Sequence, residues 1–421
     1  MAKNSTATPQ HVRPYCIHGP CLKFCRKRKN RKISFYACSV CRDRKKCSFY
    51  WPVEKKFPKQ KVVDTKKKIR MLRRFEPVEA YRRLCKVKQN KQDRQFCFTC
   101  GHFVLPEERS DHVQHKLKFN ITNRLLNRPC MWLTASKSEK KEAQYWFSDS
   151  CAKFLAKLPL ELSFDHVLCI GTPRVHEELL HLFKSKASVK SFLLDYDERF
   201  EQFWPPSRCA QYNLFANYVF TQTGRNYLKK FLKKSTKLLI IVDPPFGGLT
   251  SAIGKSLISL QKIFHKLHKN DTSDVTAKCE IIWIFPYFME KKILQTCPNL
   301  NMLDYIVEYK NHPNFKADKS PIRIFTSLSP ADVVLPTNDA RYRYVLKIGS
   351  FCPHCNKFVI KTNLHCNICN SCTSKNGRAY NHCFSCNRCV KLTFTHCETC
   401  DRCHLPNRCA VSKATPLLKN A

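Results

Sequence analysis

Asp243-Pro244-Pro245-Phe246-Gly247-Gly248 stands directly after the apolar run Leu238 to Val242. Two prolines in succession make a stiff loop, because each fixes φ and neither carries a backbone N–H. The loop therefore offers oxygen acceptors without a competing donor. The Asp243 carboxylate and the Pro244 carbonyl can together hold both hydrogens of an exocyclic NH2 group, such as that of adenine. The lone pair of that nitrogen is delocalised into the ring, so the amine must be held while it turns toward a methyl donor. Phe246 can stack on the base, a contact of about 1–3 kcal/mol in nucleic-acid complexes, and the two glycines permit close backbone approach. Asp243, Pro244, Pro245 and Phe246 are thus candidate catalytic residues for methylating an amine, with Asp243 orienting more than deprotonating. The structural alternative is a plain turn closing a buried strand.

Such a loop needs a sheet behind it, since ligands of open α/β sheets bind at the carboxyl ends of strands. Strand-like runs occur at Val167–Ile170, Phe192–Asp195, Tyr218–Thr221, Leu238–Val242, Ile281–Phe285, Leu303–Tyr309 and Ile322–Thr326, and helical stretches alternate with them. Alternation of this kind predicts a doubly wound, mainly parallel α/β sheet. Ile253, Leu257, Leu260, Phe264 and Leu267 share one helical face and read as core. Val167 to Thr172 resembles the first strand and turn of class I, Rossmann-like S-adenosylmethionine-dependent methyltransferases, although it has the single glycine Gly171. Asp195, 24 residues later, is placed to accept from both ribose hydroxyls of the cofactor, with Asp197 as the alternative. Gln144-Tyr145-Trp146-Phe147 can fold over the cofactor, Gln144 supplying an amide and Phe147 a ring, or can simply pack in the core. Asn213 is a candidate for the adenine edge of the cofactor, and Asp243 adjoins the same site.

Lys and Arg outnumber Asp and Glu by 75 to 32, a net charge of +43 that points to a polyanionic partner. Half of the residues from Lys55 to Arg74 are Lys or Arg, which suggests phosphate contacts. Met1 to Gln10 lacks the apolar stretch of a signal peptide, so the 27 cysteines are expected to be reduced and largely metal-bound. No apolar run reaches the 18 or more residues of a membrane span, and the expectation is a soluble nuclear or cytoplasmic protein.

Three copies of His-Cys-x-x-Cys-x-x-Cys begin at His365, His382 and His396, preceded by Cys352 and Cys355. They resolve into interleaved sets: Cys352, Cys355, His365 and Cys372; Cys366, Cys369, His382 and Cys389; Cys383, Cys386, His396 and Cys403. Cys397, Cys400, His404 and Cys409 complete a fourth, so no cysteine of the segment is unused. Thiolate and imidazole ligands at this spacing suit tetrahedral structural zinc. Interleaving of this kind also resembles DHHC-type palmitoyltransferases, with Cys383 as acyl carrier. Without a membrane span, the ligand role is preferred. Cys97, Cys100, His112 and His115 form a Cys2His2 finger. Cys16, His18, Cys38 and Cys47, with Phe35-Tyr36-Ala37 and Trp51, resemble a GRF-type finger, in which Cys21, Cys25 and Cys41 are competing ligands. About six zinc ions follow, which lower the charge to only about +38.

The predicted organisation is a GRF-type finger (1–53), a basic linker (54–94), a Cys2His2 finger (95–120), a methyltransferase domain (121–345), a multi-zinc module (346–412) and a tail (413–421). The order of these modules, with Ala143-Gln144-Tyr145, Leu168 to Arg174, Asp243 to Leu249, Trp283 to Phe288 and Cys372 to Lys375, resembles the CCHC zinc-finger rRNA adenine-N6-methyltransferases over nearly the whole chain. The resemblance implies methylation of one adenine in structured large-subunit rRNA with S-adenosylmethionine, nucleolar and cytoplasmic residence, ribosome-assembly or RNA-helicase partners and a monomer. One departure is that Ala421 is reached without a Cys-x2-Cys-x4-His-x4-Cys knuckle, so RNA affinity is expected to be distributed differently. The rivals are an N6-adenine methyltransferase of another RNA and a non-catalytic RNA-binding protein that keeps the sheet as a scaffold.

Overall fold

A computed structural model describes residues 12–28, 31–41, 43–135, 144–182, 189–269, 277–312, 315, 319–336, 339 and 351–409. Met1 to Gln10, Ala143 and the tail fall outside them. The chain divides into two compact units, one of Met1–Ser136, Asp165–Leu238 and Gly247–Cys279, the other of Lys137–Phe164, Leu239–Phe246 and Glu280–Ala421.

In the first unit, Leu22–Arg28 pairs antiparallel with Arg31–Ala37, which pairs with Tyr50–Pro52. Cys16, Cys21 and Cys38 are buried beneath them. The stretch expected to be a linker is helical: α1 spans Lys59–Leu72 and α2 spans Pro77–Gln89. Lysine is a good helix former, and Val62 and Ile69, seven residues apart, supply the buried stripe of α1 while its lysines stay exposed. Pro77 opens α2 at a position where a missing N–H costs nothing. Arg73, just beyond α1, is ion-paired with Glu201 and bonded to Gln211. The second finger has Gln95–Cys97 as its central strand, flanked by His102–Val104 and Leu117–Lys118. It is built into the unit, not appended to it. Gln202 donates to the Gly101 carbonyl and accepts from Phe103 N–H, and Phe96 packs against Trp132 and Phe203.

Strands β1 (His166–Ile170), β2 (Lys190–Asp195) and β3 (Cys209–Asn213) are parallel, and the two-residue β4 (Tyr218–Val219) is antiparallel to β3, in the order β4-β3-β2-β1. The third parallel strand is therefore Cys209–Asn213; the run Tyr218–Thr221, expected in that role, forms only the edge. Helices α3 (Pro173–Leu182), α4 (Gln222–Lys234) and α5 (Thr250–His268) also belong here. Ile253, Leu257, Leu260 and Phe264 of α5 are buried as expected, and Leu267 is half-buried. Gly224 lets α4 approach β3 closely, since an added Cβ would lie 2.8 Å from the Ala210 Cβ. Gly224→Val should destabilise the protein by about 1–3 kcal/mol through overpacking; an unchanged urea midpoint would contradict this packing.

Strand β5 (Lys237–Val242) passes from the first unit into the second. There it is followed by β6 (Lys278–Pro286), β7 (Asn301–Leu303) and β8 (Ile322–Thr326), in the order β5-β6-β8-β7, with β8 antiparallel to both neighbours. The α/β fold is the expected one, with β1 to β3 parallel and antiparallel pairing entering at β4 and at β8. The expected strand Leu303–Tyr309 ends at Leu303. Asp304 to Val307 are buried but irregular, with Val307 N–H donating to the Ile322 carbonyl. Beyond residue 350 the chain forms four two-stranded hairpins. Among the described residues no helix is long and apolar enough to cross a membrane.

Candidate active site and metal centres

Strand β5 is buried along Leu238 to Val242 and delivers Asp243 at its carboxyl end. The Tyr309 hydroxyl donates to Asp243 Oδ1 at 2.8 Å. Among the described residues Oδ2 takes no hydrogen bond, so one oxygen is fixed and the other is left to accept. Burial pushes the Asp243 carboxyl well above the usual carboxylate range, and the Tyr309 hydroxyl draws it back toward ionisation. Pro244 is buried and Pro245 exposed, as expected of a loop turning outward from the sheet.

Aromatic rings surround this carboxylate. Phe246 stacks with Tyr145 at 6.0 Å and 18°, and meets Tyr309 at 5.9 Å and Phe285 at 6.2 Å. Tyr145 also lies 4.5 Å from His312, which stacks on Phe315 at 3.5 Å. Gln144 to Ser148 is fastened to Glu308 to Asn311 by main-chain bonds from Ser148 to Glu308 and from Lys310 to Trp146. The Asn311 side chain accepts from Trp146 N–H and donates to the Gln144 carbonyl. This positions Tyr145 beside Phe246. Phe147, expected to cover the cofactor, is buried and stacked on Tyr309, so it is a packing residue that holds the tyrosine in place. Tyr309 escaped sequence reasoning because its value lies in what its hydroxyl touches 66 residues away. The only signal was a cluster of polar aromatics, Tyr309 and His312, near the sheet.

On the cofactor side, Gly171 directly follows β1 with φ +64, a conformation that glycine adopts without strain. Asp195 ends β2, is buried, and accepts from Asp197 N–H at 2.9 Å through Oδ1. Burial, reinforced by the neighbouring Asp197 charge, pushes its carboxyl up to about 7. Asp197 is itself engaged by Arg199. A left-handed glycine after the first strand and a buried carboxylate after the second fit the ribose and methionine ends of S-adenosylmethionine. Asn213 does not fit the role expected of it. Its amide donates to the His18 carbonyl and Ser39 Oγ and accepts from Ala216 N–H. A buried amide with both ends satisfied fastens the first finger to β3 and has nothing left for a cofactor.

Four of the six predicted metal sets occur as clusters whose ligand atoms lie within 4.8 Å of one another at the second finger and the hairpins, and Cys16, His18, Cys38 and Cys47 form a fifth at the first finger. Cys41 remains close, with its sulfur 3.6 Å from His18 Nε2, while Cys25 is exposed and pairs with Ser34. Cys383 sits with Cys386, His396 and Cys403, a ligand position rather than that of an acyl carrier. In the last set, Cys397 interacts with His404, Cys409 and Cys400. Each hairpin turns through a left-handed residue directly after its second cysteine, at Asn356, Asn370, Asn387 and Asp401. Gly101 does the same in the second finger. Asn and Asp tolerate that conformation, and it lets the backbone N–H of the second cysteine reach the sulfur of the first, as Cys355 reaches Cys352. Sulfurs already receiving N–H bonds are suited to thiolate, the form that binds zinc.

Residues 138–327 match the family model described as probable N6-adenine methyltransferase. The rRNA N(6)-adenosine-methyltransferase ZCCHC4 of Homo sapiens is 37% identical over 363 residues, covering 82% of this chain and 68% of that protein. The chain belongs to the ZCCHC4 family. Its relative of that name in Mus musculus is 37% identical over 370 residues (84% of this chain, 69% of the relative), and the one in Xenopus tropicalis 36% over 362 (82% and 71%). The methyltransferase match in this ZCCHC4-family chain takes in Gly171, Asp195, Asp243 and the Tyr309 hydroxyl that orients it.

Proposed function

We propose that this chain transfers a methyl group from S-adenosylmethionine to N6 of an adenosine in large-subunit rRNA. The observation that carries it is the Asp243 carboxylate, fixed through one oxygen by Tyr309 and bordered by the stacked pair Tyr145 and Phe246. S-adenosylmethionine supplies an electrophilic methyl group. Asp243 Oδ2 and the Pro244 carbonyl hold the two amine hydrogens, Phe246 stacks on the ring, and Asp195 and Gly171 hold the cofactor. Because the chemistry needs Asp243 as an acceptor, the ionised form is the working one and methyl transfer rises with pH through its titration. Calorimetry tests the reading: saturable S-adenosylmethionine binding supports it, and no binding leaves only an RNA-binding scaffold.

The pH dependence of cofactor binding follows from Asp195. Its folded value of about 7 lies above the ordinary carboxylate value near 4, so the protonated form predominates between about pH 4 and 7. Ribose hydroxyls donate best to the ionised form, so affinity should rise as pH increases through 7, by up to about tenfold between pH 6 and 8. Fold stability moves the opposite way, since the raised carboxyl favours the folded state fully below about pH 4 and loses that contribution as pH passes 7. Calorimetry at pH 6 and pH 8 checks the first trend; equal affinities would remove Asp195 from the ribose site.

RNA contacts would come from the basic first unit. Exposed Lys59, Lys61, Lys66 and Lys67 line α1, with Lys61 over the Trp51 ring and Lys66 over Tyr15. Nearby, Phe24, Phe35 and Tyr50 stack in succession beside Arg26 and Arg44 around a cavity of about 450 Å³. Rings and guanidinium groups of this kind suit single-stranded bases. Neutralising those four lysines should weaken binding to all RNA sequences and flatten the salt dependence by about 0.7 per lost phosphate contact; an unchanged slope would mark α1 as merely solvated. We further propose that the chain works in the nucleolus and cytoplasm as a monomer with about six zinc ions, alongside ribosome-assembly factors or RNA helicases; an rRNA substrate supports the residence, and the Cys/His clusters support the zinc.

A further inference from the structure

We propose that Asn363, between two ligands of the first carboxyl-terminal zinc set, is a positioning residue for methyl transfer: through Asp304 it fixes the segment that presents Tyr309 to Asp243. The proposal rests on Asp243 being the amine acceptor.

Asp304 is the first residue after β7, and five residues later the chain reaches Tyr309. The run between them makes no regular ladder. Its path is fixed by Tyr305 stacking on Phe154 at 4.4 Å and by Val307 bonding to Ile322. At its start, Asp304 Oδ2 accepts two hydrogen bonds, from Ile360 N–H and from Asn363 Nδ2, each 2.8 Å. Asn363 is held in turn by Ser374, donating to its carbonyl and accepting from its N–H, both at 3.0 Å. Asn363 stands two residues before His365, and Ser374 two after Cys372, so the set Cys352, Cys355, His365 and Cys372 brackets the clamp on both sides. Gly377 closes the joint: an added Cβ would meet Ile360 at 2.8 Å and Ile306 at 3.4 Å.

A buried carboxylate is a costly way to join two elements, because desolvation opposes it and apolar packing of the same volume would serve stability as well. Asp304 is buried, and among the described residues its Oδ1 has no hydrogen-bond partner. What the carboxylate adds is direction, since two converging donors fix its position where apolar packing would let the run slide. Tyr309 gains from that, because its hydroxyl must meet one oxygen of Asp243 and leave the other.

The test uses the full chain with Asn363→Ala, Asp304→Ala and Tyr309→Phe, singly and combined. Asn363→Ala should lower kcat about tenfold, in keeping with small misplacements in active sites. KM for RNA, cofactor affinity and zinc content should be little changed. The acid limb of the kcat profile should move to higher pH, because Asp243 loses the donor that favours its ionised form. Asn363→Ala added to Tyr309→Phe should cost almost nothing further, since both remove one device. Asp304→Ala, which changes no residue between the ligands, should repeat the pattern and serves if Asn363→Ala does not fold. Multiplicative losses, or a kcat loss with an unmoved acid limb, would show the clamp to be structural only and overturn the proposal. The acceptor reading itself fails on a different result, full activity of Asp243→Ala.

Discussion

Asp243→Ala should lower kcat for RNA methylation by about a thousandfold, while RNA and S-adenosylmethionine still bind. The size follows from what the residue supplies. An amine whose lone pair is shared with its ring is held for attack by acceptors fixed in advance, and removing one preorganised partner from such a site typically costs about 10²–10³ in kcat. Here the loss is expected at the upper end, because Asp243 is both the acceptor and the group that Tyr309 aligns. Asp243→Asn is the sharper comparison. Its amide can keep an oxygen toward the substrate or toward the Tyr309 hydroxyl but not both, so it should recover some activity and lose the acid limb of the pH profile. A pH-independent residue of activity in Asp243→Asn, with none in Asp243→Ala, would establish the carboxylate as the titrating acceptor. Undiminished kcat in either would remove it from the chemistry.

Chelating zinc should unfold the segment from Cys352 to Cys409 outright. Each hairpin there has only two to four residues per strand, and the cluster of Cys352, Cys372 and Val359 is the main buried patch. Core burial on that scale cannot offset the ordering of nearly sixty residues, at about 1–2 kcal/mol each, whereas structural zinc sites contribute about 10–16 kcal/mol apiece at pH 7. Because neighbouring sets interleave, removing one ligand should loosen two sites; Cys366→Ser should lower zinc content by more than one ion per chain. Limited proteolysis with and without chelator reads this directly. A segment that stays protected after the metal is removed would contradict the ligand assignment.

Five of the Cys/His sets were legible because ligation is local: residue type and spacing are written in short stretches. The strands β1, β2, β5, β6 and β8 were legible as continuous apolar runs. Strand β3 was not, because Cys209-Ala210-Gln211-Tyr212-Asn213 has small and polar residues where helix α4 crosses closely at Gly224. The lysine-rich stretch was read as a linker because charge masks a stripe of only two apolar residues, Val62 and Ile69. Asn213 was read as a candidate for the adenine edge of the cofactor, and no local signal announces that His18 and Ser39 claim its amide from nearly 200 residues away. Tyr309 and the Asp304 clamp were hidden for the same reason, since their partners are brought together by tertiary structure alone.

In the proposed reaction an oriented carboxylate at the end of β5 directs a methyl group to adenine N6. Incubating the protein with S-adenosylmethionine carrying a labelled methyl group and large-subunit rRNA, then digesting the RNA to nucleosides, tests it most directly. Label is expected in N6-methyladenosine, at one position, and about a thousandfold less of it with Asp243→Ala. Label in 1-methyladenosine or on a ribose hydroxyl, or incorporation that survives the loss of Asp243, would contradict it.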